Sequence, residues 1–305
     1  MQHIITALIP IFSLILIGYF FRQIKFPSEG FWPSADKLTY YVLMPSLLVY
    51  KLSTASLNAL DGFNFVLTGL LGILVLLFIL ILVNKKMKIE GSAFTSVGQG
   101  AVRFNTYVFL ALSASLFGDE GLILSALLIT FAIPMINVIC ITLFALYVSD
   151  SKLSIKKLIK SIFTNPLILA CFLGGGINFI GLTMPIPIEK IFQILSSAAL
   201  PMGLLSVGVG LELRGLKDTK NELFVSTTFK LLLLPVITYA IGVYLEISLL
   251  ALSVVLIFAA MPTAPSSFVL ARQLGGDVKL MSSIITLQTL VSIVTIALLI
   301  QMVLK

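Results

Sequence analysis

Apolar runs of about twenty residues follow one another along this chain, and that pattern alone excludes most architectures. About twenty residues of helix cross the hydrocarbon core of a bilayer, and a helix satisfies its own backbone hydrogen bonds there. The runs fall near residues 4–21, 36–54, 63–83, 92–117, 121–148, 163–181, 189–211, 223–245, 249–274 and 279–303. Between them lie short polar connectors such as Asn84-Lys85-Lys86-Met87-Lys88, none long enough for a soluble domain. Charged residues make up only 11% of the chain, against roughly 25% in soluble domains. The first run sits where a signal peptide would, but it has no basic leader and no small-residue cleavage site, and Arg22 follows it directly. It reads as a retained span.

A formal net charge of +7 would suggest nucleic acid in a soluble protein. Here the basic residues lie in the connectors, where they set membrane orientation instead. Fifteen of them occupy the odd-numbered connectors, from Arg22, Lys25 and Lys37 through Lys85, Lys86 and Lys88 to Lys152–Lys160, Arg214–Lys220, Arg272 and Lys279. The even connectors and the termini hold only Lys51, Lys190 and Lys305. This asymmetry places the odd connectors in the cytoplasm and both termini outside.

Internal echoes point to a repeat. Pro45 in Leu43-Met44-Pro45-Ser46-Leu47-Leu48 pairs with Pro201 in Leu200-Pro201-Met202-Gly203-Leu204-Leu205. Leu116-Phe117-Gly118-Asp119 pairs with Leu274-Gly275-Gly276-Asp277, and Leu128-Ile129-Thr130 with Ile284-Ile285-Thr286. All three offsets fall at 156–158 residues. Five spans per copy is an odd number, so the second copy enters the membrane upside down. The expected fold is all-α and polytopic: ten transmembrane helices in two inverted five-helix repeats, 1–149 and 161–305, joined by a cytoplasmic linker at 150–160.

Spans four and nine are abnormal. Span four opens on small and polar residues, then carries Arg103-Phe104-Asn105-Thr106 near mid-membrane. A charge there costs about 3 kcal/mol or more unless it faces protein or a watery cavity. Span nine carries Met261-Pro262-Thr263-Ala264-Pro265-Ser266-Ser267 at similar depth. Pro262 and Pro265 remove backbone donors and disfavour helix at the residues before them, so the span should break there. The second half-helices should then start near Thr106 and Ser266, hydroxyl residues suited to capping, with free N–H groups turned to the membrane centre. Two such ends beside Arg103 make an anion site. Asn105, Thr106, Thr263, Ser266 and Ser267 are the candidate neutral ligands of a carboxylate. Pro45, Asn137, Pro201 and Gln288 are candidate cavity-lining residues, with interhelical hydrogen bonding the blander role for Asn137 and Gln288. Lys230, inside span eight, is expected to snorkel toward the cytoplasmic interface.

All thirteen acidic residues fall in connectors or at span ends, which disfavours carboxylate-driven ion coupling. His3 is the single histidine, and no nucleotide loop or nucleophile elbow occurs. No enzyme activity, metal, cofactor or nucleic-acid partner is expected. Cys140 and Cys171 lie in apolar segments and read as small core residues.

Arg103-x-Asn105-Thr106 and Met261-Pro262-Thr263-Ala264-Pro265-Ser266-Ser267-Phe268-Val269-Leu270-Ala271-Arg272, followed by Gly275-Gly276-Asp277, resemble the signature of the auxin efflux carrier family. The bacterial members of that family include malate and malonate permeases. The Leu-Pro-x-x-Leu-Leu patterns at Pro45 and Pro201 look like its second and seventh helices, and the resemblance covers essentially the whole chain. It implies the fold of bile-acid and sodium/proton transporters, with crossed broken helices four and nine in a mobile domain. The first, second, sixth and seventh helices would form a scaffold, with an elevator motion, commonly in a dimer. Plant auxin carriers have a long loop between the halves; the short 149–160 segment implies a bacterial plasma-membrane carrier. The expected function is secondary transport of an organic anion: a mono- or dicarboxylate or an auxin-like indole acid. The rivals are a membrane sensor or scaffold without flux and a sodium-coupled symporter of bile-acid type.

Overall fold

The computed structural model describes residues 2–28, 30–55, 62–148, 160, 163–212 and 220–303. Among the described residues the regular structure is helical, with no strand. Helix α1 spans Gln2–Gln23. Helix α2 (Phe31–Leu38) runs through one π-helical turn, Thr39–Leu43, into α3 (Met44–Ser53). Helices α4 (Gly62–Met87), α5 (Gly91–Val102) and α6 (Thr106–Tyr147) follow. Next come α7 (Pro166–Phe179) and α8 (Ile186–Val209). Helix α9 (Lys220–Thr228) passes through a second π-helical turn, Phe229–Leu233, into α10 (Leu234–Tyr244). Helices α11 (Leu249–Ala260), α12 (Ser266–Leu274) and α13 (Val278–Val303) complete the chain.

Among the described residues, six stretches are long and apolar enough to cross a membrane: Thr6–Gln23, Gly62–Met87, Gly91–Tyr147, Ile186–Val209, Asn221–Tyr244 and Val278–Met302. Pro166–Phe179 and Leu249–Ala260 are shorter apolar helices. Large side chains such as Phe63, Phe78, Phe172, Phe179 and Tyr244 lie on the outside, as suits helices whose outer faces meet lipid. The chain is a polytopic helical membrane protein.

Local chemistry accounts for many helix ends. The Glu90 carboxylate accepts the Ser92 and Ala93 amides and starts α5. Asn165 Oδ1 accepts the Leu167 and Ile168 amides, with Pro166 in the first turn of α7. The Ser248 side chain starts α11, and Gly275 ends α12 in the left-handed conformation at φ 79°. The two π turns each stand directly before a proline pair, Met44-Pro45 and Leu234-Pro235. A proline ring clashes with the carbonyl four residues back. Widening the turn relieves that clash: the Met44 amide donates to Thr39 O and the Leu234 amide to Phe229 O, five residues away.

The chain divides into two compact units that each draw on both halves of the sequence. The first comprises 1–60, 107–130 and 159–210; the second comprises 61–106, 131–158 and 211–305. In the first unit α1 packs along α8 in backbone contact: a Cβ at Gly208 would collide with the Ile15 carbonyl, and one at Gly18 with the Leu205 carbonyl. Helix α3 packs on α7 and α8, and Asn178 Nδ2 caps the end of α3 by donating to Ser53 O and Ala55 O. Pro45 is half-buried and Pro201 exposed, both in this unit. At Gly118, φ 60°, α6 bends, and Lys51 pairs with Asp119 at 2.7 Å. In the second unit α5 and α11 are enclosed on every side, from Phe94 to Val102 and from Ala251 to Ala260. Of the expected linker at 150–160 only Lys160 is described; Lys152, Lys156 and Lys157 lie outside the described residues, as do Arg214 and Lys217.

Candidate functional site

Both expected interruptions are present, and both lie in the second unit. Helix α11 stops at Ala260 because Pro262 favours extended backbone at Met261, observed at φ −66° and ψ 140°. Helix α5 stops at Val102, with Arg103 extended at φ −74° and ψ 155°, although no proline is near. Its break is held from across the gap. The Asn105 amide donates to the Pro262 carbonyl at 2.8 Å, and the Thr263 hydroxyl donates to Gln99 O at 3.4 Å. Gln288 on α13 ties the two together: its Oε1 accepts the Thr263 amide at 2.9 Å, and its Nε2 donates to Gly100 O at 3.0 Å. The same Nε2 lies 3.3 Å from the Ser226 carbonyl and hydroxyl. Interrupted helices leave buried backbone groups that need partners, and a glutamine amide supplies both polarities.

Arg103 leaves the first break toward α6 and α12. Its Nε donates to Cys140 Sγ at 3.4 Å, one terminal nitrogen to Asn137 Oδ1 at 3.0 Å, and the other to Ser266 Oγ at 3.2 Å. Asn137 and Cys140 stand three residues apart on one face of α6. A guanidinium has five N–H groups. Three are committed, and two have no partner among the described residues. Arg103 is half-buried and Ser266 exposed, so a held cation with spare donors stands at an accessible edge of the breaks. Helices α6 and α12 both begin here, at Thr106 and Ser266, with the partial positive charge of helix N-termini.

The candidate ligands fall into two groups. Arg103 and Thr106 are half-buried and Ser266 is exposed. Asn105, Thr263 and Ser267 are buried, and the Thr263 and Ser267 hydroxyls share a hydrogen bond at 3.3 Å. Gln288 is fully buried and braces the breaks, rather than lining an open cavity. Asn137 is half-buried and holds Arg103. Ser266 is corrected from helix cap to first helical residue: Pro265 precedes α12 with no side-chain cap, and the Ser266 hydroxyl accepts from Arg103 instead. The first amides of α12 are not all free either. The Pro265 turn brings back the Ala264 and Pro265 carbonyls, which accept the Ser267 and Phe268 amides at 3.0 and 3.1 Å. Lys230 does not snorkel; it is fully buried. Cys140 is buried core, as its apolar surroundings imply, and its Sγ also accepts from Arg103, a role its spacing from Asn137 on one helix face allows.

Comparison with known proteins points to membrane transport. A family model described as membrane transport protein matches residues 149–300. A candidate malonate transporter from Rhizobium meliloti (strain 1021) is 26% identical, over 97% of this chain and 94% of its own length. An uncharacterized transporter from Methanothermobacter thermautotrophicus is 25% identical, over 96% of each chain. Another from Methanocaldococcus jannaschii is 26% identical, over 93% of this chain and 94% of its own. The chain belongs to this family of membrane transport proteins, the auxin efflux carrier family.

Proposed function

We propose that this protein is a secondary transporter of small organic anions, with a carboxylate bound at the spare N–H groups of Arg103. One observation carries the reading: a half-buried guanidinium, fixed by three side chains at the meeting of two helix breaks, that keeps two donors uncommitted. Carboxylates match such a donor pair. Thr106 and Ser266 add neutral hydrogen bonds, while Asn105, Thr263, Ser267 and Gln288 hold the breaks in shape. The ten spans form two inverted five-span repeats with both termini outside the cytoplasm, as the basic connectors support. The unit that carries the breaks is the moving body of an elevator-type cycle, working in a homodimer in the plasma membrane. A relative named for malonate makes a short dicarboxylate the first substrate to try.

The test is counterflow of labelled malonate, malate and indole-3-acetate in proteoliposomes. Arg103→Ala should abolish flux of whichever acid the wild type carries, a loss of about a hundred-fold or more, with an unchanged elution profile in detergent. Flux that survives in Arg103→Ala sinks the site. Binding without flux for every acid favours a sensor, and flux that requires sodium favours a cation-coupled symporter.

A further inference from the structure

Two cations lie in the apolar runs away from the run ends, Arg103 and Lys230, and the carboxylate site uses only the first. Lys230 sits in the π-helical turn Phe229–Leu233 with 0% of its surface exposed. Its Nζ has no hydrogen-bond partner among the described residues. Ser226, four residues earlier, donates to Val97 O at 3.3 Å and receives Gln288 Nε2. Residues four apart share a helix face, so Lys230 lies on the side that meets α5 and α13. Its Nζ stands 5.7 Å from the ring centroid of Phe258, in the last turn of α11. Phe258 in turn packs edge-on against Phe104 of the first break, centroids 4.6 Å apart.

Helix α5 ends at Val102 and α11 at Ala260, each with partial negative charge at its C-terminus, and the turn that carries Lys230 packs on both helices. In the last turn of α5 the buried Gln99 Oε1 has no donor among the described residues. Half-helix C-termini and freed carbonyls are the chemistry that binds a small cation inside a membrane protein. The chain brings an ammonium there, and its acidic residues all lie in connectors or at span ends.

We propose that Lys230 is a tethered cation. Its ammonium takes the position beside the two half-helix C-termini that a sodium-sized monovalent ion would otherwise fill, and the carrier therefore works without a cation gradient. The proposal rests on the transport reading for its consequence, but its test has a readout independent of flux. Purified wild type and Lys230→Gln are unfolded thermally in detergent, in sodium chloride and in choline chloride at equal ionic strength. Wild type should unfold at the same temperature in both salts. Lys230→Gln should gain roughly 3 °C or more in sodium, because the vacated position binds the ion. In proteoliposomes, wild-type carboxylate uptake should be equal in the two salts, whereas Lys230→Gln should lose about ten-fold in choline and recover most of it in sodium. Should Lys230→Gln fail to fold, Lys230→Met, which keeps the volume, takes its place. A variant as indifferent to sodium as the wild type overturns the proposal, as does a wild type that itself gains from sodium. Absence of carboxylate flux in the wild type sinks the transport reading alone, and the unfolding shift still decides this one.

Discussion

Met261–Pro265 is interrupted by covalent necessity, whereas Arg103–Asn105 contains no residue that forbids a helix. In the first case proline rings exclude the helical hydrogen bonds before any tertiary contact forms. In the second, the extended backbone is stabilised by what it meets: the Pro262 carbonyl and the reach of Gln288. The proline break thus serves as a template for the other. This division leaves the proline-free break open to carry the functional cation, since its residues are chosen for chemistry rather than for breaking a helix. It also makes one side chain on a third helix responsible for both.

The largest expected effect comes from that side chain. Gln288→Leu leaves the Thr263 amide and the Gly100 carbonyl buried without their partner and should cost about 3 kcal/mol, read as a lower unfolding temperature in detergent. Replacing both Pro262 and Pro265 by alanine should cost less, about 1–2 kcal/mol, since the bonds to Asn105 and Gln288 still hold the backbone open. If the double proline variant proves the more damaged, the template is the prolines alone and the glutamine is incidental. Thr263→Val removes the hydroxyl shared with Ser267 and Gln99 O and should cost about 1 kcal/mol.

The smallest effect lies at the far end of α5. Hydrogen bonds from the Ser92 hydroxyl and amide hold the exposed Glu90 carboxyl below its usual range. Glu90→Ala should cost about 1 kcal/mol or less. A depressed folded value means that this stabilisation is present above the unfolded carboxylate range and lost as pH falls through the folded value. The difference between wild type and variant should therefore persist at neutral pH, shrink as pH falls through the usual carboxylate range and be lost once pH passes the depressed folded value. The wild type losing no stability advantage in acid would show that another group caps α5.

Much of this was legible in the sequence because membrane helices are written in hydrophobicity and proline. The helices follow the apolar runs to within a few residues, and Pro262 with Pro265 announced the second break. The first break was legible only through Arg103 and through the 158-residue offset that relates Asn105 to Thr263. Its physical cause, the Asn105–Pro262 bond, joins residues far apart in the chain, and no local pattern encodes that. No local pattern marks the π turns, because a proline inside an apolar run reads as a kink and nothing nearby says which way the helix relaxes. Lys230 escaped because snorkelling depends on which face a lysine takes, and its face is set by Ser226 meeting α5 and α13. Ser266 was misread as a cap because its hydroxyl has a competing partner, Arg103.

The backbone contact between α1 and α8 has a consequence outside the site. Where Gly18 and Gly208 let two main chains touch, there is no layer of side chains to repack when lateral pressure changes. The pair behaves as a stiff strut whose spacing does not depend on rotamer choice. Changes in bilayer thickness should then be absorbed by tilt of the pair as a whole, and a single added methyl at either glycine acts as a wedge.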